Sequence, residues 1–173
     1  DNLESSYSIN AKTDDNNKRI GAQFLHKPTN LNICGIIDDI WQHTTTQELH
    51  IVDYKSTSTD YPISLDSKYK EGYKRQIEIY QWIFKNMGFL VSRLGYFFFA
   101  NAFRNRPEFG GKLEFKTLII SYQGDYSWVE KAIFDIKKCL DSSNIPESSK
   151  DCQYCRYRNL IGKASIKSQM SLI

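Results

Sequence analysis

The sequence predicts an α/β fold in which helices flank a central mixed sheet built from antiparallel hairpins. Two observations lead to this prediction. Runs of β-branched and aromatic residues are separated by short polar turns, which is typical of hairpins. Two longer segments switch to the three- and four-residue spacing of an amphipathic helix. The order of three strands, a helix, two strands and a second helix lets both helices cover the sheet.

Length and composition indicate one compact domain spanning residues 1–173. With 40% hydrophobic residues, a chain of 173 residues can bury a core without disulfides or a structural metal. The two ends, residues 1–19 and 146–173, are polar and predicted to be irregular, and the start at Asp1 would suit a piece of a longer chain. Neither a signal peptide nor a membrane-spanning apolar run is visible, so we expect an intracellular protein, cytoplasmic or nucleoid-associated, without a membrane partner.

Three strands are predicted in the first third of the chain. Residues 20–26 and 31–42 are rich in apolar and β-branched side chains, and Pro28 and Asn30 provide a turn between them. A third run, residues 48–55, follows after a short polar stretch. The second and third runs therefore predict an antiparallel hairpin.

A long helix is predicted over residues 66–87, and Gly88 supplies its stop. Gln76 is the polar member of its inward stripe, and it is either satisfied by backbone groups at the helix–sheet interface or part of a site. The stripe consists of Tyr69, Tyr73, Gln76, Ile77, Tyr80, Phe84 and Met87.

A second hairpin and a second helix complete the predicted fold. Residues 91–103 and 113–122 are aromatic and β-branched runs on either side of a loop that contains proline and glycine. The helix covers residues 127–140 and begins with a capping box formed by Ser127 and Glu130. Its apolar face consists of Val129, Ala132, Ile133, Ile136 and Leu140.

Two carboxylates face each other in the first hairpin. If the hairpin turns about its two central threonines, Asp38 lies directly opposite Asp53, where like charges repel unless a cation lies between them. Both residues lie in apolar strand sequence, where a solvated aspartate is unusual. Lys55 follows Asp53 by two residues and therefore lies on the same face of the strand. Asp39 is the alternative to Asp38, but strand alternation places it on the opposite face.

These residues predict a site for a divalent cation. Two carboxylates and the backbone carbonyl of Tyr54 form an oxygen ligand set suited to Mg²⁺ or Mn²⁺. Such a cation polarises a phosphodiester and acidifies a water, while the ammonium of Lys55 orients that water or offsets the charge that develops on the phosphorane. The chemistry predicted is metal-dependent hydrolysis of a phosphodiester.

The motif order resembles the PD-(D/E)XK nuclease superfamily, in particular its RecB-like exonuclease branch, which includes CRISPR-associated RecB-like nucleases. The matching motifs are G-I-I-D ending at Asp38, D-Y-K beginning at Asp53, and Q-x-x-x-Y on the next helix. The resemblance implies a restriction-endonuclease-like core and a DNA exonuclease in repair, processing or defence. It implies that Asp38 and Asp53 are metal ligands, that Lys55 is catalytic, and that Gln76 and Tyr80 contribute to the site.

Basic and aromatic residues make DNA the expected partner, although a solvated helix face would have a similar composition. The candidate phosphate contacts are Lys68, Lys70, Lys74, Arg75, Arg104 and Arg106. Tyr61, Tyr69 and Trp82 are candidates for stacking on unpaired bases. A helicase or another protein partner would suit such a nuclease, but the sequence does not identify one.

The four cysteines do not form a pattern typical of secreted disulfide proteins. Many relatives bind an iron–sulfur cluster through a C-terminal group of cysteines, but Leu160 follows the C-x-x-C pair where another cysteine would be expected. Cys152, Cys155 and Cys139 are the candidate ligands of a cluster or a structural zinc. We expect reduced cysteines and no iron–sulfur cluster, with Cys34 as a small buried side chain.

Two other functions fit the same residues. The fold can serve as a non-catalytic module for nucleic-acid or protein binding in a larger assembly, but crowded carboxylates that repel phosphate do not suit that role. Alternatively, Asp38 and Asp53 form salt bridges with Lys55 and Arg75 in an unrelated α/β protein, which leaves the motif order to coincidence.

Overall fold

The computed structural model describes residues 3–5, 21–105, 107–108 and 110–170, without the side chains of residues 4–5 and 163–170. The chain divides into two compact units, residues 1–134 and 135–173. Among the helices of this described part, none has both the length and the apolar composition that a membrane span requires.

The described residues form seven strands and three α-helices. In chain order these are β1 (Leu3–Ser5), β2 (Ala22–His26), β3 (Leu31–Gly35), β4 (Asp39–His43), β5 (Leu49–Thr57), α1 (Glu71–Asn86), β6 (Leu94–Ala102), β7 (Phe115–Gln123), α2 (Ser127–Asp141) and α3 (Gln153–Met170). The mixed α/β class predicted from the sequence is confirmed.

The main sheet has five strands in the order β1-β4-β5-β6-β7. Strands β5 and β6 are parallel, and the other neighbours in this sheet are antiparallel. The parallel pair requires a crossover connection, and α1 lies within it. Strands β2 and β3 form a separate antiparallel pair.

The prediction of one continuous strand over residues 31–42 is wrong. The chain leaves β3 at Gly35, turns through residues 36–38, and enters the main sheet as β4 at Asp39. An uninterrupted apolar run contains no local signal for such a change of sheet. The predicted register is nevertheless confirmed, because Asp39 pairs with Val52, and Asp38 therefore lies one position beyond the last pair, opposite Asp53.

Helix α1 begins later than predicted, after a 3₁₀ turn at Lys68–Lys70, and Gly88 follows its end with a positive φ of 95°. Its buried face packs Ile77, Ile83 and Phe84 into the main core. Trp82 is also buried in that core, so the prediction that Trp82 stacks on bases is wrong.

Helix α2 is confirmed, but its predicted capping box does not form. The backbone N–H of Ser127 donates to Asp125 Oδ1 at 3.2 Å. The carboxylate of Glu130 binds His26 Nε2 at 2.8 Å instead, and His26 Nδ1 lies 2.8 Å from Thr29 Oγ1. A buried imidazole with two ring nitrogens to satisfy competes for the glutamate, and this contact ties α2 to the β2–β3 turn. On the predicted apolar face, the positions near the C-terminal end are exposed, namely Ile136 and Leu140.

The ends of the chain contain more regular structure than predicted. Leu3–Ser5 pairs with β4 as an edge strand, while residues 1–2 and 6–19 lie outside the described residues. The predicted irregular tail contains α3, Gln153–Met170. Its sequence is rich in good helix formers but lacks an apolar stripe, so helix propensity was present without the periodicity that the prediction relied on.

Candidate active site

Strand β5 places an aspartate and a lysine on the sheet face covered by α1. Asp53 is 1% exposed, and its Oδ2 lies 2.5 Å from Nζ of Lys55, whose side chain is 17% exposed. The two residues are brought together because side chains two positions apart in a strand point to the same side. The predicted adjacency of Asp53 and Lys55 is therefore present in the structure.

Asp38 lies beside Asp53, immediately before β4 begins at Asp39. The ladder between β4 and β5 stops at Val52, so the backbone of Tyr54 has no strand partner on that side. The carboxylate of Asp38 takes this place and accepts the N–H of Tyr54 at 2.9 Å. In an antiparallel ladder the N–H and C=O of one residue point toward the same neighbour, so the carbonyl of Tyr54 also points into this gap.

A chain of hydrogen bonds connects Lys55 to the loop that carries Asp38. Lys55 Nζ donates to Gln76 Oε1 at 3.3 Å, and Gln76 Nε2 donates to the hydroxyl of Tyr80 at 3.2 Å. The Tyr80 hydroxyl in turn donates to the carbonyl of Ile36 at 3.0 Å. The partners of Gln76 are thus site side chains rather than backbone, and Gln76 and Tyr80 connect α1 to both halves of the site.

Gly35 is the residue whose structural role the sequence did not reveal. A Cβ at this position would lie 2.3 Å from Cε1 of Tyr80, well inside any van der Waals contact. The glycine that opens the G-I-I-D motif therefore allows the tyrosine ring to pack directly against β3 and to reach the Ile36 carbonyl. A spacing of 45 residues along the chain hides this contact from a local reading of the sequence.

The surroundings of Asp53 disfavour the ionised form of its carboxyl group on balance. Burial raises the pKa of its carboxyl above the ordinary aspartate value, the ammonium of Lys55 opposes that rise, and the neighbouring Asp38 adds to it. Within the described residues, Oδ1 of Asp53 is buried without a hydrogen-bond donor. A buried carboxylate oxygen without a donor is costly unless a cation binds it.

The residues present fit a hard divalent cation. Asp38, Asp53 and the Tyr54 carbonyl supply oxygen donors around one gap, which matches the preference of Mg²⁺ and Mn²⁺ for carboxylate and carbonyl oxygens with water completing the shell. Across the described ranges, no group of three or more His, Cys, Asp or Glu side chains is arranged for a metal.

Asp39 serves a different purpose on the opposite face of the sheet. Its carboxylate accepts the backbone N–H of Ile40 at 2.8 Å, the indole N–H of Trp41 at 3.1 Å and the hydroxyl of Tyr54 at 2.6 Å. Burial, with Asp39 as hydrogen-bond partner, raises the pKa of Tyr54 to about 12, so the phenol remains a donor. Asp39 is fully engaged, and the geometry favours Asp38 over it.

Among the predicted phosphate contacts, Lys70 is the one near Lys55. Both ammonium groups lie over the ring of Tyr73, at 4.5 Å for Lys55 and 4.8 Å for Lys70, and Lys70 also lies 5.1 Å from the ring centre of Phe99. No acidic side chain in the described part of the chain pairs with Lys70.

The other predicted phosphate contacts lie in different surroundings. Lys74 forms an ion pair with Glu71 at 2.8 Å, and Arg104 forms one with Asp60 at 3.1 Å. The remaining exposed members of the set are Lys68 and Arg75, and Arg106 lies outside the described residues. Arg75 makes no ion pair with Asp38 or Asp53, so of the salt bridges in the alternative explanation only the one between Asp53 and Lys55 is present.

The cysteines are free thiols in the described structure. Cys34 is exposed, contrary to prediction, because the odd-numbered positions of β3 are the ones that face inward. Cys152 and Cys155 lie at the start of α3, where the Cys152 sulfur accepts the Cys155 N–H at 3.5 Å, and this hydrogen bond lowers the pKa of the Cys152 thiol. Cys139 is exposed near the end of α2.

Comparison with known proteins gives one match. The family model of the PD-(D/E)XK nuclease superfamily matches residues 6–160, a range that includes β2 through the first turns of α3. The search of curated proteins returned no significant match. The search of solved structures likewise returned none.

Proposed function

The chain belongs to the PD-(D/E)XK nuclease superfamily, and from this premise we propose that it is a Mg²⁺- or Mn²⁺-dependent deoxyribonuclease. Superfamily membership supports a hydrolase that acts on nucleic-acid phosphodiesters. We further assign it to the RecB-like branch as an exonuclease, on the strength of the Q-x-x-x-Y motif that follows D-Y-K on α1. A role in DNA repair, processing or defence would suit that activity.

One observation carries the proposal. The oxygen Oδ1 of buried Asp53 has no hydrogen-bond donor among the described residues, and it belongs to a carboxylate that faces Asp38 and contacts Lys55. A binding module gains nothing from this arrangement, because a buried carboxylate and a half-buried one repel both each other and a phosphate. The arrangement makes sense when a divalent cation and a phosphodiester share the gap.

Asp38, Asp53 and the carbonyl of Tyr54 would hold the proposed cation. When bound there it supplies positive charge against the phosphodiester and acidifies the attacking water. Lys55 places its ammonium beside Asp53, where it orients that water and offsets the negative charge developing on the phosphorane.

Gln76 and Tyr80 position these groups rather than react. The amide oxygen of Gln76 fixes the ammonium of Lys55, and the Tyr80 hydroxyl fixes the carbonyl of Ile36 close to Asp38. Their hydrogen bonds hold the lysine and the acidic loop at a constant separation, which is the preorganisation that catalysis requires.

The test is cleavage of end-labelled single- and double-stranded DNA in Mg²⁺, Mn²⁺ and EDTA. We expect metal-dependent cutting that falls at least about 100-fold in Asp53→Ala and Lys55→Ala, because each removes charge stabilisation of the transition state. Asp141→Ala, which alters an exposed acid on α2, is the matched control and should cut like the wild type. Metal-independent DNA binding with no cutting would instead support the non-catalytic module.

A further inference from the structure

A groove of about 540 Å³ opens where the connection after β5 crosses the ends of β6 and β7. Its lining is largely apolar and aromatic, with an amide, an aspartate and a lysine among the polar members. The residues that line it include Thr59, Tyr61, Asn101, Phe103, Lys116 and Leu118. None of these residues belongs to the candidate active site.

The connection that forms one wall of the groove is fixed by hydrogen bonds. The side-chain amide of Asn101 accepts the N–H of Thr59 and donates to its carbonyl, each at 2.9 Å. Ser58 Oγ donates to the carbonyl of Ala102 at 3.2 Å, and the N–H of Tyr61 donates to Thr59 Oγ1 at 3.1 Å. The wall is therefore preformed, which lowers the entropy lost when a ligand binds.

Two aromatic rings border this preformed wall without being buried. Tyr61 is 80% exposed and Phe103 is 47% exposed. Exposed aromatic side chains beside a preformed groove are typical of a binding surface. Lys116 adds a positive charge to the same groove, and the negative charge of Asp60 in its lining is offset by the ion pair with Arg104 at 3.1 Å. Rings beside a lysine offer stacking and phosphate contact together, the combination that single-stranded nucleic acids require.

The groove lies on the same sheet face as the candidate active site and only a short step away. Along the parallel pair, Lys55 is opposite Phe99 and Thr57 is opposite Asn101. The groove therefore begins two residues beyond the level of Lys55, a distance of about 7 Å along the strand. The ammonium of Lys70 lies over Phe99, at the level of Lys55.

We propose that this groove binds one unpaired nucleobase of the substrate strand, next to the phosphodiester that is cut, and that the substrate is consequently single-stranded DNA or a frayed end. The inference rests on the proposed nuclease function for the identity of the strand. Bases in an intact duplex are stacked on their neighbours and paired, so they do not enter a groove between protein rings. Tyr61 and Phe103 supply the stacking surfaces, and Lys116 contacts a phosphate.

The test measures binding of a dye-labelled oligothymidylate by fluorescence anisotropy in EDTA, so that no cutting occurs. The same strand is then used with a single abasic site moved along it. We expect one abasic position to weaken wild-type binding about ten-fold, which is the scale of one lost stacking contact. Tyr61→Ala should weaken binding of the intact strand by a similar factor and remove the dependence on abasic position, whereas Tyr61→Phe should retain both.

The matched control is Tyr154→Ala, which removes a tyrosine that is 88% exposed and lies on α3. It should bind every oligonucleotide like the wild type. Equal wild-type affinity for all abasic positions, or a Tyr61→Ala variant with the wild-type profile, would overturn the proposal and leave the groove to a ligand of another class, such as an apolar peptide.

The binding test and the cleavage test fail independently. If the chain binds with a distinct abasic position but never cuts DNA in Mg²⁺ or Mn²⁺, the groove binds an unpaired base as proposed, and the nuclease proposal falls. If it cuts duplex and single strands equally and Tyr61→Ala cuts both like the wild type, the nuclease proposal stands and the groove proposal falls.

Discussion

The contact between Gly35 and Tyr80 shows how a single residue without a side chain sets the geometry of the site. The ring of Tyr80 occupies the space that a Cβ on Gly35 would need, and from there its hydroxyl reaches both Gln76 and the carbonyl of Ile36. Because Gln76 also holds Lys55, a displacement of the ring is transmitted to the candidate catalytic lysine.

Gly35→Ala should therefore reduce activity more than stability. The added methyl group forces Tyr80 away from Ile36, and we expect the DNA cleavage rate to fall about ten-fold or more, as misplacement by about 1 Å does in other active sites. Cleavage kinetics and a thermal melt would measure the two effects. Gly72→Ala is the control, since nothing lies within 4 Å of the Cβ that the alanine would add, and alanine favours the helix. Equal rates for the two variants would refute the role of Gly35.

Two basic residues at the start of α1, Lys70 and Lys74, differ in their interaction partners. Lys74 is already paired with Glu71, whereas Lys70 lies over two aromatic rings with no acidic partner in the described structure. A half-buried ammonium without a carboxylate is ready to accept an external anion.

Lys70→Ala should weaken DNA binding more than Lys74→Ala. We expect Lys70→Ala to reduce the slope of log Kd against log salt by about one, because it removes one phosphate contact, and Lys74→Ala to change it little. A salt titration of single-stranded DNA binding in EDTA measures both slopes. Equal slopes for both variants and the wild type would show that neither lysine contacts phosphate.

At the scale of the elements, strongly patterned segments could be predicted from sequence. The β-branched and aromatic runs predicted β6 and β7, and the three- and four-residue spacing predicted α1 and α2. The position of the hairpin turn predicted the register between β4 and β5. That register is what placed Asp38 opposite Asp53. Local periodicity is sufficient where one face of an element is buried.

Elements whose neighbours are distant in sequence could not be predicted. The change of sheet between β3 and β4 depends on what each strand pairs with, and the exposure of Cys34 follows from that pairing. Helix α3 has helix-forming composition without an apolar stripe, so no periodic signal marked it. The contact of Gly35 with Tyr80 likewise depends on the packing of α1 against β3.

At the scale of the whole molecule, the hydrophobic core and the candidate active site of the first unit lie on the same face of the main sheet. Phe84 on α1 is completely buried and packs against Phe89 with ring centres 5.4 Å apart. The core therefore holds the helix that carries Gln76 and Tyr80 against the strand that carries Asp53 and Lys55.

Phe84→Ala should destabilise the fold by about 3–5 kcal/mol, because it removes a large ring and leaves a cavity. Met87→Ala, one turn further along and partly exposed, should cost less than about 1 kcal/mol. Urea denaturation followed by circular dichroism measures both. A loss below about 1 kcal/mol for Phe84→Ala would contradict the position of this ring in the core.

The proposed catalytic site requires a divalent cation between Asp38 and Asp53, and Mn²⁺ binding followed by electron paramagnetic resonance tests this directly. We predict that wild-type protein binds Mn²⁺, that Asp53→Asn abolishes and Asp38→Asn weakens this binding, and that Asp141→Asn and Lys55→Ala retain it. If Asp53→Asn bound Mn²⁺ as tightly as the wild type, the buried carboxylate would not be a metal ligand, and the proposed catalytic site would be wrong.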